Sequence, residues 1–116
     1  MNVDLHHVSI GVGNVAAAVE FYGHLGITPL ATRPNFGFDG AWLQAGERQI
    51  HLIETTVVPP GATNHLALRV ADLEACLAEL ATHGVTGRRS TYTPGAGHQV
   101  FLQDPSGNVV ELNQPD

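Results

Sequence analysis

The sequence predicts an α+β chain made of two βαβββ modules, and three observations carry that expectation. Two segments half a chain apart share one pattern of apolar residues, caps and turns. In each, runs of period two flank a run of period 3.6. A Val-Val-Pro-Pro-Gly stretch at Val57–Gly61 stands between them as a linker by composition.

The repeat shows on a shift of 58 positions, which lays Leu5–Thr32 over Thr63–Ser90. His7 then falls on His65, Asn14 on Asp72 and Gly26 on Gly84. Further on the offset becomes 60, so that Gln49–Leu52 falls on Val109–Leu112, with the two extra residues near Thr93–Gly97. A single domain is expected over residues 1–116, with module 1 at about 1–56, a linker at about 57–62 and module 2 at about 63–116.

The elements follow in order. Val8, Ile10 and Val12 alternate with His7, Ser9 and Gly11, which predicts a half-buried strand. Leu66, Leu68 and Val70 repeat the pattern. Asn14 and Asp72 are suited to cap the helices that follow, because their short side chains accept from exposed backbone N–H groups. The first helix is expected at about Val15–Leu25, with Val15, Val19 and Tyr22 inward beside Ala18 and Leu25. The second is expected at about Leu73–His83, with Leu73, Cys76, Leu77 and Leu80 inward. Gly26 and Gly84 stand where glycine ends a helix. Strands are then expected at Thr28–Arg33, Gly40–Ala45 and Arg48–Glu54, and in the second half at Gly87–Tyr92, His98–Gln103 and Asn108–Asn113. Ala45–Glu47 and Asp104–Asn108 are turn signals before the last strand of each half.

Composition narrows the chemistry. The five basic residues are all Arg, against 11 acidic ones and a net charge of −6. No basic stripe invites nucleic acid. Without lysine there is no side-chain Schiff base and no P-loop. One cysteine, Cys76, makes no internal disulfide, which suits a reducing compartment; a cytoplasmic location is expected. The first ten residues lack a basic leader pattern, and no apolar run reaches the roughly 18 residues of a membrane span. The seven histidines are the anomaly, since imidazole is the commonest metal ligand.

Strand alternation sorts these histidines. If Val8, Ile10 and Val12 face the helix, His7 faces away, and His65 does likewise in the second half. Ile50 and Leu52 place His51 on the face away from the helix, and Val110 and Leu112 place Glu111 there. His7, His51, His65 and Glu111 therefore form a candidate metal set from the first and last strands of each half, suited to a divalent first-row ion. His6 is expected on the face opposite His7. His24 and His83 fall in the last turns of their helices as surface groups. Cys76 reads as core.

This layout resembles the vicinal oxygen chelate superfamily, also called the glyoxalase/bleomycin resistance/dioxygenase family. The residues that carry the resemblance are His7–Ile10, Phe21-Tyr22, Leu25-Gly26 and Ile50–Leu52 in the first half. In the second they are His65–Leu68, Phe101–Asn108 and Val110–Leu112. The resemblance implies mixed sheets curled into an open cup with the helices outside, one divalent metal ion (Ni, Zn, Mn, Co or Fe(II)) and a homodimer. By position it assigns His7, His51, His65 and Glu111 as ligands. Where lactoylglutathione lyases usually carry Glu, this chain has His51, and epimerase relatives have Gln. Extradiol dioxygenases and fosfomycin-type enzymes are similar in a smaller set, matching His7, His65 and Glu111. The chain stops five residues after Glu111, which counts against the fosfomycin reading. Bleomycin-binding relatives lack the ligands.

The function this implies is metal-assisted proton transfer, of lyase or isomerase type, on a small substrate that chelates the ion through neighbouring oxygens. The alternatives are an extradiol-type dioxygenase and a small-molecule binding or antibiotic-resistance protein. Glu111 and His51 are the candidate bases. Ser9, Arg33, Trp42, Arg69, Gln99 and Phe101 are the candidate substrate contacts, the two arginines for an anionic group. Tyr92 and His98 flank Thr93–Gly97, expected as a loop.

Overall fold

The computed structural model describes residues 1–57 and 64–116, so all but the first residue of the linker core Val57–Gly61 lies outside the described residues. The chain divides into two compact units, Met1–Pro59 and Pro60–Asp116. The first holds β1 (His7–Val12), α1 (Val15–His24), β2 (Thr28–Pro29), β3 (Gly40–Ala45) and β4 (Arg48–Glu54). The second holds β5 (His65–Arg69), α2 (Leu73–Thr82), β6 (Arg88–Arg89), β7 (His98–Gln103) and β8 (Val109–Gln114). Each unit is thus a βαβββ module. No helix among the described residues is long and apolar enough to cross a membrane.

Both sheets have four strands, ordered β1-β4-β3-β2 and β5-β8-β7-β6. In each, the last strand returns to the centre, parallel to the first and antiparallel to the third. That return puts His51 and Glu111 on the central strands. Both are buried although they face away from the helix. Helix-facing residues of the same strands, Ile50, Leu52, Val110 and Leu112, form the core with Tyr22, Leu73 and Leu80.

The helices are built alike at both ends. Asn14 accepts from Ala17 N at 2.9 Å and Asp72 from Ala75 N at 3.0 Å. At the other end Gly26 N donates to Gly23 O and Ile27 N to Tyr22 O, both at 3.0 Å. Gly84 N to Ala81 O and Val85 N to Leu80 O repeat this at 3.0 Å. This is the Schellman motif, which needs a left-handed residue after the cap; Gly26 has φ 77° and Gly84 φ 74°. Each helix ends one residue before its expected limit, because Leu25 and His83 are the caps.

The inward face of α1 differs from the expected one. Ala18, Phe21 and Tyr22 are buried, while Val15, Val19 and Leu25 are half-buried. The helix is turned toward the 18/21/22 stripe, so Phe21 takes the place expected of Val19. In α2, Leu73 and Leu80 are buried, with Cys76 and Leu77 half-buried.

Two strands are much shorter than expected. β2 covers Thr28–Pro29 instead of Thr28–Arg33, and β6 covers Arg88–Arg89 instead of Gly87–Tyr92. Both are edge strands with one neighbour. Pro29 has no N–H to donate, and beyond it one further bond, Leu30 N to Trp42 O, ends the ladder. β8 starts one residue late, because Asn108 belongs to the preceding turn. There Asp104 Oδ1 accepts from Ser106 N and Asn108 N, each at 2.9 Å, and Oδ2 accepts from Asn108 Nδ2 at 2.8 Å.

Candidate functional site

In the first unit, register places Ser9, His51 and Trp42 abreast on the face away from α1. Trp42 therefore belongs to the candidate site's side of the sheet. Its ring stacks on His51 at 4.4 Å with planes 7° apart, and His7 stacks on the other side of His51 at 3.8 Å and 15°. His51 Nε2 lies 2.8 Å from Gln49 Oε1. A carbonyl oxygen only accepts, so Nε2 donates and Nδ1 keeps the lone pair. Burial, then the neighbouring His7, His6 and Arg33, hold the His51 pKa below its ordinary value. His51 is a neutral imidazole at pH 7.

His6 departs from expectation. Its Nδ1 lies 2.8 Å from His7 Nδ1, so the two rings are partners. His6 precedes β1, and strand alternation does not govern it. This bond occupies Nδ1 of His7 and leaves Nε2 as its ligand atom. Ser9 is exposed. Arg33 lies in the loop before β3, where it donates to Phe38 O at 2.9 Å and stands over the Phe36 and Phe38 rings at 5.1 and 5.4 Å.

In the second unit, Ala67, Glu111 and Phe101 are abreast on the face away from α2, with Arg88 beyond Phe101. Glu111 receives hydrogen bonds from three strands. His65 Nε2 stands 3.0 Å from Oε1, while Gln99 Nε2 and Asn113 Nδ2 donate to Oε2 at 3.0 and 2.7 Å. Burial alone would raise the Glu111 pKa. The bonds from Asn113, Gln99 and His65 outweigh it and hold the carboxyl below its ordinary value. Glu111 is a fixed anion. Phe101 meets His65 edge to face at 5.5 Å and has the Arg88 guanidinium over its ring at 5.3 Å. Arg69 is exposed in the row of Asn113 and Gln99.

The structure thus joins His7 to His51 and Trp42 in one unit, and His65 to Glu111, Gln99 and Phe101 in the other. The sequence analysis did not single out Gln49 and Asn113, which orient His51 and Glu111. Each lies two residues from its partner along a strand, and period two was the available signal. Arg88 and the exposed Phe38 carried no such signal, while Phe36 stands in the aromatic loop that follows Arg33. Cys76 stays outside the site; burial and then Glu79 push its thiol pKa up, away from nucleophile range.

The side chains suit a metal ion unequally. Two donors about 2.1 Å from one ion at a right angle lie about 3.0 Å apart, and His65 Nε2 and Glu111 Oε1 have that spacing. His7 and His51 differ. Imidazole lone pairs lie in the ring plane, so near-parallel stacked rings cannot both aim at one ion unless one turns. Among the described residues no group of three or more His, Cys, Asp or Glu side chains is arranged to hold a metal ion.

Comparison with known proteins places this geometry. The chain is 27% identical to Glyoxylase I 4 of Arabidopsis thaliana over 120 residues, covering 93% of this chain and 68% of that protein. It is similar to TnmS3, an antibiotic binding protein from Streptomyces sp. CB03234, with TM-score 0.82 and 29% identity over 99% of this chain and 98% of that one. A variant of the fosfomycin resistance protein FosX from Listeria monocytogenes, complexed with Mn(II) and 1S,2S-dihydroxypropylphosphonic acid, shares the fold at TM-score 0.84 and 14% identity, over 100% of this chain and 95% of that one. Residues 4–112 match the family signature, and with the two βαβββ units this shows that the chain belongs to the Glyoxalase/Bleomycin resistance protein/Dioxygenase superfamily.

Proposed function

We propose that this protein is a divalent-metal-dependent enzyme of glyoxalase-like lyase or isomerase type, moving a proton on a small substrate with two neighbouring oxygens. The observation that carries this reading is the anionic Glu111, held at Oε2 by Asn113 and Gln99, with His65 Nε2 3.0 Å from Oε1, where a bound ion would replace the His65 hydrogen bond. His65 and Glu111 would hold the ion with Nε2 of His7, as one domain over residues 1–116 or across a homodimer. The ion would act as a Lewis acid toward the substrate oxygens.

His51 is then the base. It is neutral, its Nε2–H is fixed by Gln49 and its Nδ1 carries the lone pair. Glu111 is the poorer base, because its hydrogen bonds stabilise the charged form and lower its proton affinity. Asn113 and Gln99 position Glu111. Ser9, Arg33 and Arg69 are the polar groups to orient the substrate.

The test is metal retention by the purified full-length chain. Near-stoichiometric divalent ion is expected, lost in His65→Ala and Glu111→Gln. His51→Gln is expected to keep the ion and lose proton exchange at the carbon beside the substrate carbonyl. A chain that retains no divalent ion after incubation with each candidate metal overturns the reading. Retention of Fe(II) with oxygen uptake would assign extradiol chemistry instead. A second reading, a small-molecule binding protein, is favoured by the ring stack on His51 and the likeness to TnmS3. Ligand binding by metal-free chain without turnover would select it.

A further inference from the structure

We infer that the ring column of the first unit is a binding slot for a planar aromatic molecule carrying an anionic group, seated between Trp42 and Phe36 beside Arg33. The inference uses this unit alone and does not rest on the metal reading.

The column is continuous but unevenly spaced. His7 to His51 is 3.8 Å and His51 to Trp42 is 4.4 Å, both nearly parallel. These are face contacts at ordinary van der Waals separation. From Trp42 to Phe36 the centroid distance opens to 6.2 Å and the planes splay by 46°. Beyond that gap Phe36 and Phe38 are near-parallel again, 16° apart at 5.6 Å. A third ring sandwiched between two others needs about 7 Å, twice a contact of about 3.5 Å. At 6.2 Å and 46° Trp42 and Phe36 meet as a tilted pair, the loosest contact of the column, and an inserted ring takes its place there as Phe36 moves outward by about 1 Å.

The two walls differ in stiffness. Trp42 lies on β3, and the buried His51 backs its ring. Phe36 lies in the loop between β2 and β3, 48% exposed, beside Phe38 at 52%. A small outward tilt of that loop admits a flat ring. Two exposed phenyl rings next to a rigid indole bear apolar surface that an occupant would cover.

Arg33 sets the charge of the occupant. Its guanidinium stands over the Phe36 and Phe38 rings at 5.1 and 5.4 Å, on the loop side of the contact with Trp42. One N–H goes to Phe38 O, and among the described residues no carboxylate lies within ion-pair distance of it. In a chain of net charge −6, general attraction for anions is absent. A preference for an anion here therefore reports on Arg33.

Trp42 is the chain's single tryptophan, so its indole N–H gives one isolated NMR signal. The full-length chain is titrated with 2-naphthoate, with neutral 2-naphthalenemethanol and with cyclohexanecarboxylate. A saturable shift of the indole signal is expected with 2-naphthoate, half-complete at or below about 1 mM. Phe36→Ala, a change in an exposed loop, should weaken it about three- to tenfold, as for one lost stacking contact. Arg33→Gln should weaken 2-naphthoate about tenfold and 2-naphthalenemethanol less than about twofold. No saturable shift, an equal response to cyclohexanecarboxylate, or unchanged binding by Phe36→Ala overturns the slot. Metal retention without a naphthoate response overturns the slot and leaves the enzyme reading standing, and the converse result separates the two the other way.

Discussion

His65 Nε2 stands 3.0 Å from Glu111 Oε1, diagonally across the parallel pair β5–β8, in which Ala67 and not His65 is the register partner of Glu111. The diagonal leaves the carboxylate's second oxygen to Gln99 and Asn113, which come from the other side and from its own strand. Gln99→Leu removes one of these supports without touching a donor atom. Divalent-metal affinity is expected to fall about 10- to 100-fold, the usual effect of losing a partner behind a ligand. Competition with a chromogenic chelator measures it. Wild-type affinity in this variant would show that Gln99 does not position Glu111.

The Asp104–Asn108 turn is held by one buried carboxylate. Asp104→Ala removes the acceptor of three hydrogen bonds, from Ser106 N, Asn108 N and Asn108 Nδ2. A loss of about 3 kcal/mol is expected in urea unfolding, at about 1 kcal/mol for each bond removed. Asp104→Asn keeps one acceptor oxygen and should cost about half as much. Equal stability of the two variants would rule out this role for the carboxylate.

These two sites were legible in the sequence to different degrees. The repeat put His7 with His65 and His51 with Glu111, because strands have a strict period of two and helix-facing valines and leucines mark the opposite face. The same period would have found Gln49 and Asn113, two residues from His51 and Glu111. It misplaced His6, which lies outside the strand and bonds to His7, and was silent on Phe36 and Phe38, in a loop with no period. The length of β2 was hidden for another reason. Thr28, Leu30 and Thr32 alternate as in a strand, while the single neighbour and Pro29 limit the ladder. That the side chain of Trp42 meets His51 depended on the register of β3 with β4, which cross-strand pairing fixes and local sequence does not.

The loop after β6 is tied at its tip by Asp116, whose side chain accepts from Tyr92 Oη at 2.9 Å and Gly95 N at 2.7 Å. The Gly95 bond and then the Tyr92 bond hold the Asp116 pKa below its ordinary 3.8. Its folded form favours the carboxylate, so the tie is complete above 3.8 and is lost as pH falls through the lower folded value. Tyr92 runs the opposite way. The bond to Asp116, then burial, raise its pKa above 10.0, so its contribution is full below 10.0 and is lost as pH rises past the folded value. The Gly95 amide NMR signal should therefore show one limb below about pH 4.5 from Asp116 and another above about pH 9.5 from Tyr92. In Asp116→Asn the acid limb should vanish. An acid limb that persists in Asp116→Asn would contradict the tie.

The two helix ends allow an energetic test of the repeat. Gly26 and Gly84 have the same left-handed backbone and the same pair of bonds behind them, and an added Cβ meets nothing within 4 Å at either. Alanine at each position therefore carries only the backbone cost of a left-handed residue, about 1–2 kcal/mol. Gly26→Ala and Gly84→Ala should destabilise their units by the same amount to within about 0.5 kcal/mol. Gly23, three residues earlier in α1, is the control. Its φ is not positive, an added Cβ again meets nothing within 4 Å, and its repeat partner in α2 is Ala81. Gly23→Ala should stabilise by about 0.4–1 kcal/mol, because it narrows the unfolded chain and removes a poor helix former. Opposite signs three residues apart, read by amide hydrogen exchange in α1 and α2, check the argument. A stabilising Gly26→Ala would mean that α1 can end without its left-handed turn, and that the repeat at its C-terminus is one of sequence pattern without shared energetics.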